Sequence, residues 1–134
     1  MLRVGPGTAH AIPANFYKLE ECQRMVEELK KRESKLHVLV NNSGSNWGES
    51  YDSYPDAAWT RVLTLNLHRV FTITQLCTPL LEAAAVGGDN ENGVVGDPAR
   101  VIHIGSIDGL RVPSLETLSV PPASSFADGG KEDR

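Results

Sequence analysis

Leu36 to Gly44, LHVLVNNSG, constrains this chain more than any other stretch. Four of its first five residues are apolar and two are β-branched. A short apolar run bounded by turn-formers predicts a strand over 36–40, buried on both faces as in a parallel sheet. The run stops at Asn41-Asn42-Ser43-Gly44. These residues tolerate turn or left-handed backbone, and their side chains bond nearby main chain. Open α/β sheets place ligands just outside the carboxyl ends of such strands. From these residues alone, a plain strand-to-loop exit fits as well.

The 134 residues give room for one domain. Thirteen basic against 17 acidic residues leave a formal charge of −4. That balance supplies no electrostatic footprint for nucleic acid or an anionic membrane. No window holds some twenty consecutive apolar residues, and the N-terminal MLRVGPGTAHAIPANF has no apolar core of signal-peptide length. The cytosol is the default compartment. Cys22 and Cys77, the only cysteines, fall within apparent helices and read as reduced core thiols rather than a disulfide. Asn41-Asn42-Ser43 matches a glycosylation sequon, which has no meaning without secretion. The four histidines (10, 37, 68 and 103) lack metal-ligand spacing, so no metal site is expected.

Gly5-Pro6-Gly7 makes residues 1–8 a loop, without the spacing of a phosphate-binding turn. Residues 9–14, AHAIPA, read as a short strand ended by Pro13. Residues 18–33 read as an amphipathic helix with an apolar stripe of Leu19, Cys22, Val26 and Leu29. Its wet face carries the i,i+4 pairs Glu20–Arg24, Glu27–Lys31 and Glu28–Arg32, and Tyr17 would be a poor N-cap. A loop from Asn41 to Pro55 holds Trp47, Tyr51 and Tyr54, which either line a pocket or pack the loop onto the sheet. Pro55 and Asp56 open the longest helix, to about Ala85. Val62, Leu63, Leu67, Val70, Phe71, Leu76, Leu80 and Leu81 give it a broad apolar face, and Pro79 should kink it. Asn66 sits amid these apolar neighbours and must find hydrogen-bond partners, most simply nearby backbone. Residues 86–98 read as a polar loop. Arg100 to Ile104, RVIHI, reads as a second buried strand, ending at Gly105-Ser106-Ile107-Asp108-Gly109. Ser106 should face the same crevice as Asn42, or merely cap the strand exit. The composition after Leu118 predicts a disordered tail over 119–134.

LHVLVNNSG resembles the NNAG strand end of the short-chain dehydrogenase/reductases, with Ser43 in place of alanine. Ordered matches run from about Gly5 to Thr117. The resemblance implies an α/β fold: a partial doubly wound, Rossmann-like parallel sheet with helices on its faces, over residues 1–118. It implies a parent activity that moves a hydride between NAD or NADP and a small-molecule carbonyl or alcohol. Asn42, Ser43 and Gly44 would line the cofactor crevice. Asn15 stands where the family has an aspartate beside the adenine. Asn66 falls on the helix asparagine that holds a water of the proton relay. Ser106 falls on the serine that hydrogen-bonds the substrate carbonyl. VIHIGSIDGLRVP with NNSGSNWG looks most like the rhamnolipid-type 3-oxoacyl-acyl-carrier-protein reductases.

Two departures stand against that pattern. The family's first strand, its TGxxxGxG turn and most of its second strand have no counterpart, so the chain reads as truncated. The family's tyrosine and the lysine four residues on would fall within TLSVPPAS (117–124), where neither occurs. The tyrosine is the proton donor, with a pKa near 10 unless a cation lowers it. The expectation is a chain inactive alone, its strands 36–40 and 100–104 side by side, with AHAIPA detached or repaired onto the open edge. The alternatives are a non-catalytic module that associates with a full-length relative, as a homo- or hetero-oligomer, and a truncated product without function.

Overall fold

A computed structural model describes residues 7–85 and 98–106. The expected tail, Gly109 and most of the 86–98 loop lie outside the described residues.

Helix α1 (Leu19–Lys30) buries Cys22 and Val26, the centre of the stripe that the spacing predicts. Leu19, at the stripe's end, is 44% exposed. The helix starts after Lys18 rather than Tyr17, and Lys18 offers no side-chain cap. The turn ahead of it supplies order instead. Asn15 Oδ1 accepts from the Tyr17 N–H at 3.1 Å, and its carbonyl accepts from the Lys18 N–H at 3.0 Å. Three of the surface ion pairs form at i,i+3, namely Glu21–Arg24, Glu27–Lys30 and Glu28–Lys31, while Glu28–Arg32 keeps the i,i+4 spacing. Both spacings are neighbours on a helix, so rotamers choose between them.

Strand β1 (Val38–Asn41) pairs in parallel with β2 (Arg100–His103), with Val38 opposite Arg100 and Asn41 opposite His103. The expected pair is therefore present. Its burial is not as expected. Val38 and Val40 are 44% and 50% exposed, and every residue of β2 is exposed. Among the described residues, helices pack on one face: Leu36, Leu39 and Ala99 lie partly buried against a core of Cys22, Val26, Ile73, Cys77 and Leu81. Residues 9–14 form no strand. A strand needs a hydrogen-bonded neighbour, and the described sheet has two members, β1 and β2.

The long helix begins at Asp56 as α2 (Asp56–Leu63), passes through a π-helical turn (Thr64–His68), and continues as α3 (Arg69–Ala85). The regular i→i−4 pattern changes at this turn, and α3 continues through Pro79, whose missing N–H removes one ladder bond there. A π turn inserts one extra residue and so shifts the phase of the apolar pattern. Val62, Leu80 and Leu81 are buried as expected, whereas Leu67, within the π turn, and Phe71, just beyond it, are 43% and 68% exposed. No helix among the described residues is long and apolar enough to cross a membrane.

Both cysteines are free and buried, and burial pushes each thiol above its ordinary value of 9.0. A raised thiol keeps its proton in the folded state when the unfolded chain has lost it. Its contribution is whole below pH 9 and is lost as pH rises toward the folded-state value. Urea midpoints measured from pH 7 to 10 should fall on the alkaline side, and Cys77→Ala should flatten that slope.

Candidate functional site at the carboxyl ends of the strands

Because β1 and β2 are parallel and in register, their carboxyl ends lie together. A crevice of about 190 Å³ opens beside β1, walled by Leu39 to Ser43, Phe16, Leu65 and Arg69. Asn42 and Ser43 form its exposed lip. Ser106 is half-buried three residues beyond β2 at the same end of the sheet, and it does not line this crevice.

Asn66 sits in the middle of the π turn and is 3% exposed. Its Oδ1 accepts from the Ser45 N–H at 2.8 Å, and its Nδ2 donates to the Ser45 carbonyl at 2.8 Å. One amide thus satisfies both main-chain groups of a single residue, as a neighbouring strand would. The required backbone partner for Asn66 is therefore Ser45. Gly44 explains how the loop comes so close: a Cβ there would stand 3.2 Å from Asn66 Oδ1.

Asn41 ends β1 by donating from Nδ2 to Thr74 Oγ1 at 3.1 Å, and it lies 3.3 Å from His103 Nδ1. It ties the strand end to α3 and to β2. Asn15 is exposed, with its side-chain oxygen committed to the turn before α1. Arg69 is half-buried and reaches from α3 to that turn, donating to the Phe16 carbonyl at 2.7 Å and the Tyr17 carbonyl at 3.2 Å. The sequence reading passed over Ser45, Tyr17, Arg61 and Arg69. The available signal was Arg69 itself, a cation three residues after Asn66 on a mostly apolar helix. The loop aromatics pack locally, with Tyr54 edge-on to Trp59 at 6.2 Å, while Tyr51 is 77% exposed. Among the described residues, no three His, Cys, Asp or Glu side chains gather as a metal site.

The family described as short chain dehydrogenase matches residues 3–117. The rhamnolipids biosynthesis 3-oxoacyl-[acyl-carrier-protein] reductase of Pseudomonas aeruginosa is 34% identical over 119 residues, which is 89% of this chain and 43% of that protein. A Pseudomonas aeruginosa RhlG/NADP active-site complex superposes with a TM-score of 0.68 at 34% identity, covering 87% of this chain and 41% of the other. An NADH-dependent reductase A1-R' complexed with NAD gives 0.64 at 31% identity, covering 77% and 40%. The chain thus spans less than half the length of these relatives.

Asn66→Ala should lower stability by about 1–3 kcal/mol for each Ser45 group left without a partner. Gly44→Ala should cost about 1–3 kcal/mol by overpacking, because Asn66 is pinned and has no room to yield. Chemical denaturation of each variant beside the parent chain measures both.

Proposed function

The chain belongs to the short-chain dehydrogenase family, and from that premise we propose that the lip after β1 is one wall of a nicotinamide-cofactor site in a carbonyl/alcohol oxidoreductase. The observation that carries this reading is a crevice at the carboxyl end of a parallel pair, with its lip pinned by a buried asparagine.

The residues fit one part of such a cofactor. Asn42 and Ser43 offer amide and hydroxyl groups above an apolar floor of Leu39, Val40 and Val70. The volume of about 190 Å³ is below the roughly 300 Å³ at which pockets for drug-sized ligands begin. It suits a ring and its sugar rather than a whole dinucleotide. When bound, the nicotinamide delivers or accepts a hydride. Asn42, Ser43 and Gly44 would hold the cofactor, with Asn15 beside its adenine. Ser106 would orient the substrate carbonyl by a hydrogen bond. Asn66 would serve the proton relay as the residue that fixes its surroundings, since both ends of its amide are engaged.

The chain's three tyrosines all precede Ser106, so no phenol follows it at the family's spacing. A positioned general acid contributes about 10²–10⁴ in rate, and we take the 134-residue polypeptide to be inactive by itself. The Pseudomonas reductase points to a 3-oxoacyl thioester as the substrate class of the complete enzyme. Which of NAD and NADP is preferred is left open by relatives of both kinds.

The edge of β1 away from β2, which no other described strand pairs, favours a second reading. The carbonyls of His37 and Asn41 accept from Arg100 and Ile104 of the β2 segment. By alternation, the main-chain groups of Val38 and Val40 point the other way. That edge would let the chain associate with a longer relative or a second copy, as a non-catalytic module.

Titration with NADH and NADPH, followed by nicotinamide fluorescence and thermal unfolding, tests the first reading. Saturable binding should appear, with stabilisation of about 1.4 kcal/mol at ten times Kd. No oxidation of NADPH should follow addition of a 3-oxoacyl thioester. Absence of binding by either cofactor would remove the assignment.

A further inference from the structure

Tyr17 lies in the turn before α1, yet its hydroxyl donates to Ser45 Oγ, 28 residues away, at 3.1 Å. Its oxygen accepts from Arg61 Nε at 3.3 Å. The Arg61 guanidinium also stands over the ring, 5.0 Å from its centroid. The base from which Tyr17 projects is fixed too, because Arg69 holds the carbonyls of Phe16 and Tyr17. The contacts close a ring: α3 to the turn through Arg69, the turn to the lip through Tyr17 and Ser45, and the lip back to the helix through Asn66.

The two Asn66 bonds act on the main chain of one residue from one direction. They hold the Ser45 main chain and make no contact with its side chain. The Tyr17 hydroxyl reaches that side chain from another element. We propose that Tyr17, oriented by Arg61, is a positioning residue for the crevice lip: by anchoring Ser45 it sets the angle at which Asn42 and Ser43 meet a bound nicotinamide cofactor. This rests on the cofactor assignment for the identity of the ligand, and on the contacts of Tyr17 for the anchor. Partial burial pushes the phenol up. The Ser45 hydroxyl, which can turn to donate to the ionised oxygen, and the Arg61 guanidinium outweigh that and hold it below its ordinary value of 10.0. A more acidic phenol is a better donor to Ser45.

The test uses Tyr17→Phe, Ser45→Ala, their double variant, and Arg61→Gln. Amide exchange at Ser45 should quicken about five- to tenfold in Tyr17→Phe, the factor expected for one lost neutral hydrogen bond. Exchange at Cys22 and Cys77 in the core should not change. The amide at position 45 should quicken equally in Ser45→Ala, and the double variant should add nothing further there. Arg61→Gln should raise the Tyr17 phenol titration, read by ultraviolet difference absorbance, toward its ordinary value of 10.0. With NADPH as probe, Tyr17→Phe should weaken binding about fivefold at an unchanged core melting transition.

Unchanged exchange at Ser45, or additive effects in the double variant, would overturn the anchor. Equal NADPH affinity in the parent chain and Tyr17→Phe would overturn the positioning role while leaving the cofactor assignment standing. A parent chain that binds neither NADH nor NADPH would remove the cofactor assignment and with it the role of Tyr17 toward a cofactor. Exchange and the double variant would then still decide the anchor itself.

Discussion

A single buried amide holds the functional end of this molecule together. Asn66 is almost wholly removed from water, and an unsatisfied amide there would cost a few kcal/mol. It is satisfied by the main chain of Ser45. The π turn places that amide, because it interrupts the regular helix at Thr64–His68 with Asn66 at its centre. Gly44 lets the loop approach closely enough to be held. Turn, asparagine and glycine therefore form one device. The lip after β1 inherits its position from the helix rather than from the strand that leads into it.

The rest of the fold supports that device from one side. Cys22 and Val26 of α1 meet Ile73, Cys77 and Leu81 of α3, and β1 rests on this core through Leu39. The Leu36 N–H bonds the Leu80 carbonyl at 2.9 Å, which fixes where the strand segment leaves the helix pair. The opposite face of the sheet carries Val38, Val40 and Ile102 exposed. Burial of apolar area is the main favourable term in folding. The described half-sandwich thus draws its order from the helix side, and β2 from its ladder with β1.

What the sequence made legible follows from which forces are local. The apolar runs before Asn41 and before Gly105 identify both strands, since β-branched residues between turn-formers carry that information in a few positions. Their burial was not legible, because it depends on what covers the sheet. The stripe Cys22–Val26 was readable from helical spacing, but the exposure of Leu67 and Phe71 was not. The π turn shifts which residues of the apolar run face the core, and a run this broadly apolar does not show where the shift falls. Asn66 stood out as a polar residue among apolar ones, and its need for a backbone partner was readable. The identity of that partner, Ser45, lies across 21 residues and depends on tertiary approach. Tyr17 escaped notice for the same reason. In the sequence it is a weak cap before a helix, and only the fold brings it to Ser45.

The placement of charge adds a last constraint on what the crevice accepts. Among the described residues, the ion pairs belong to the surface of α1 and its C-terminal end, where Glu21, Glu27 and Glu28 meet Arg24, Lys30, Lys31 and Arg32. The two arginines beside the site are used differently. Arg61 sits against the Tyr17 phenol and Arg69 against two main-chain carbonyls. Neutral partners orient a guanidinium without cancelling its charge. In a chain of net charge −4, Arg69 thus stands half-buried in the crevice wall with its charge uncancelled by these two carbonyls. Charges in a partly enclosed site are screened less than those on an open surface. The resulting bias favours an anionic group over a neutral one of the same size at the wall that Arg69 shares with Phe16 and Leu65.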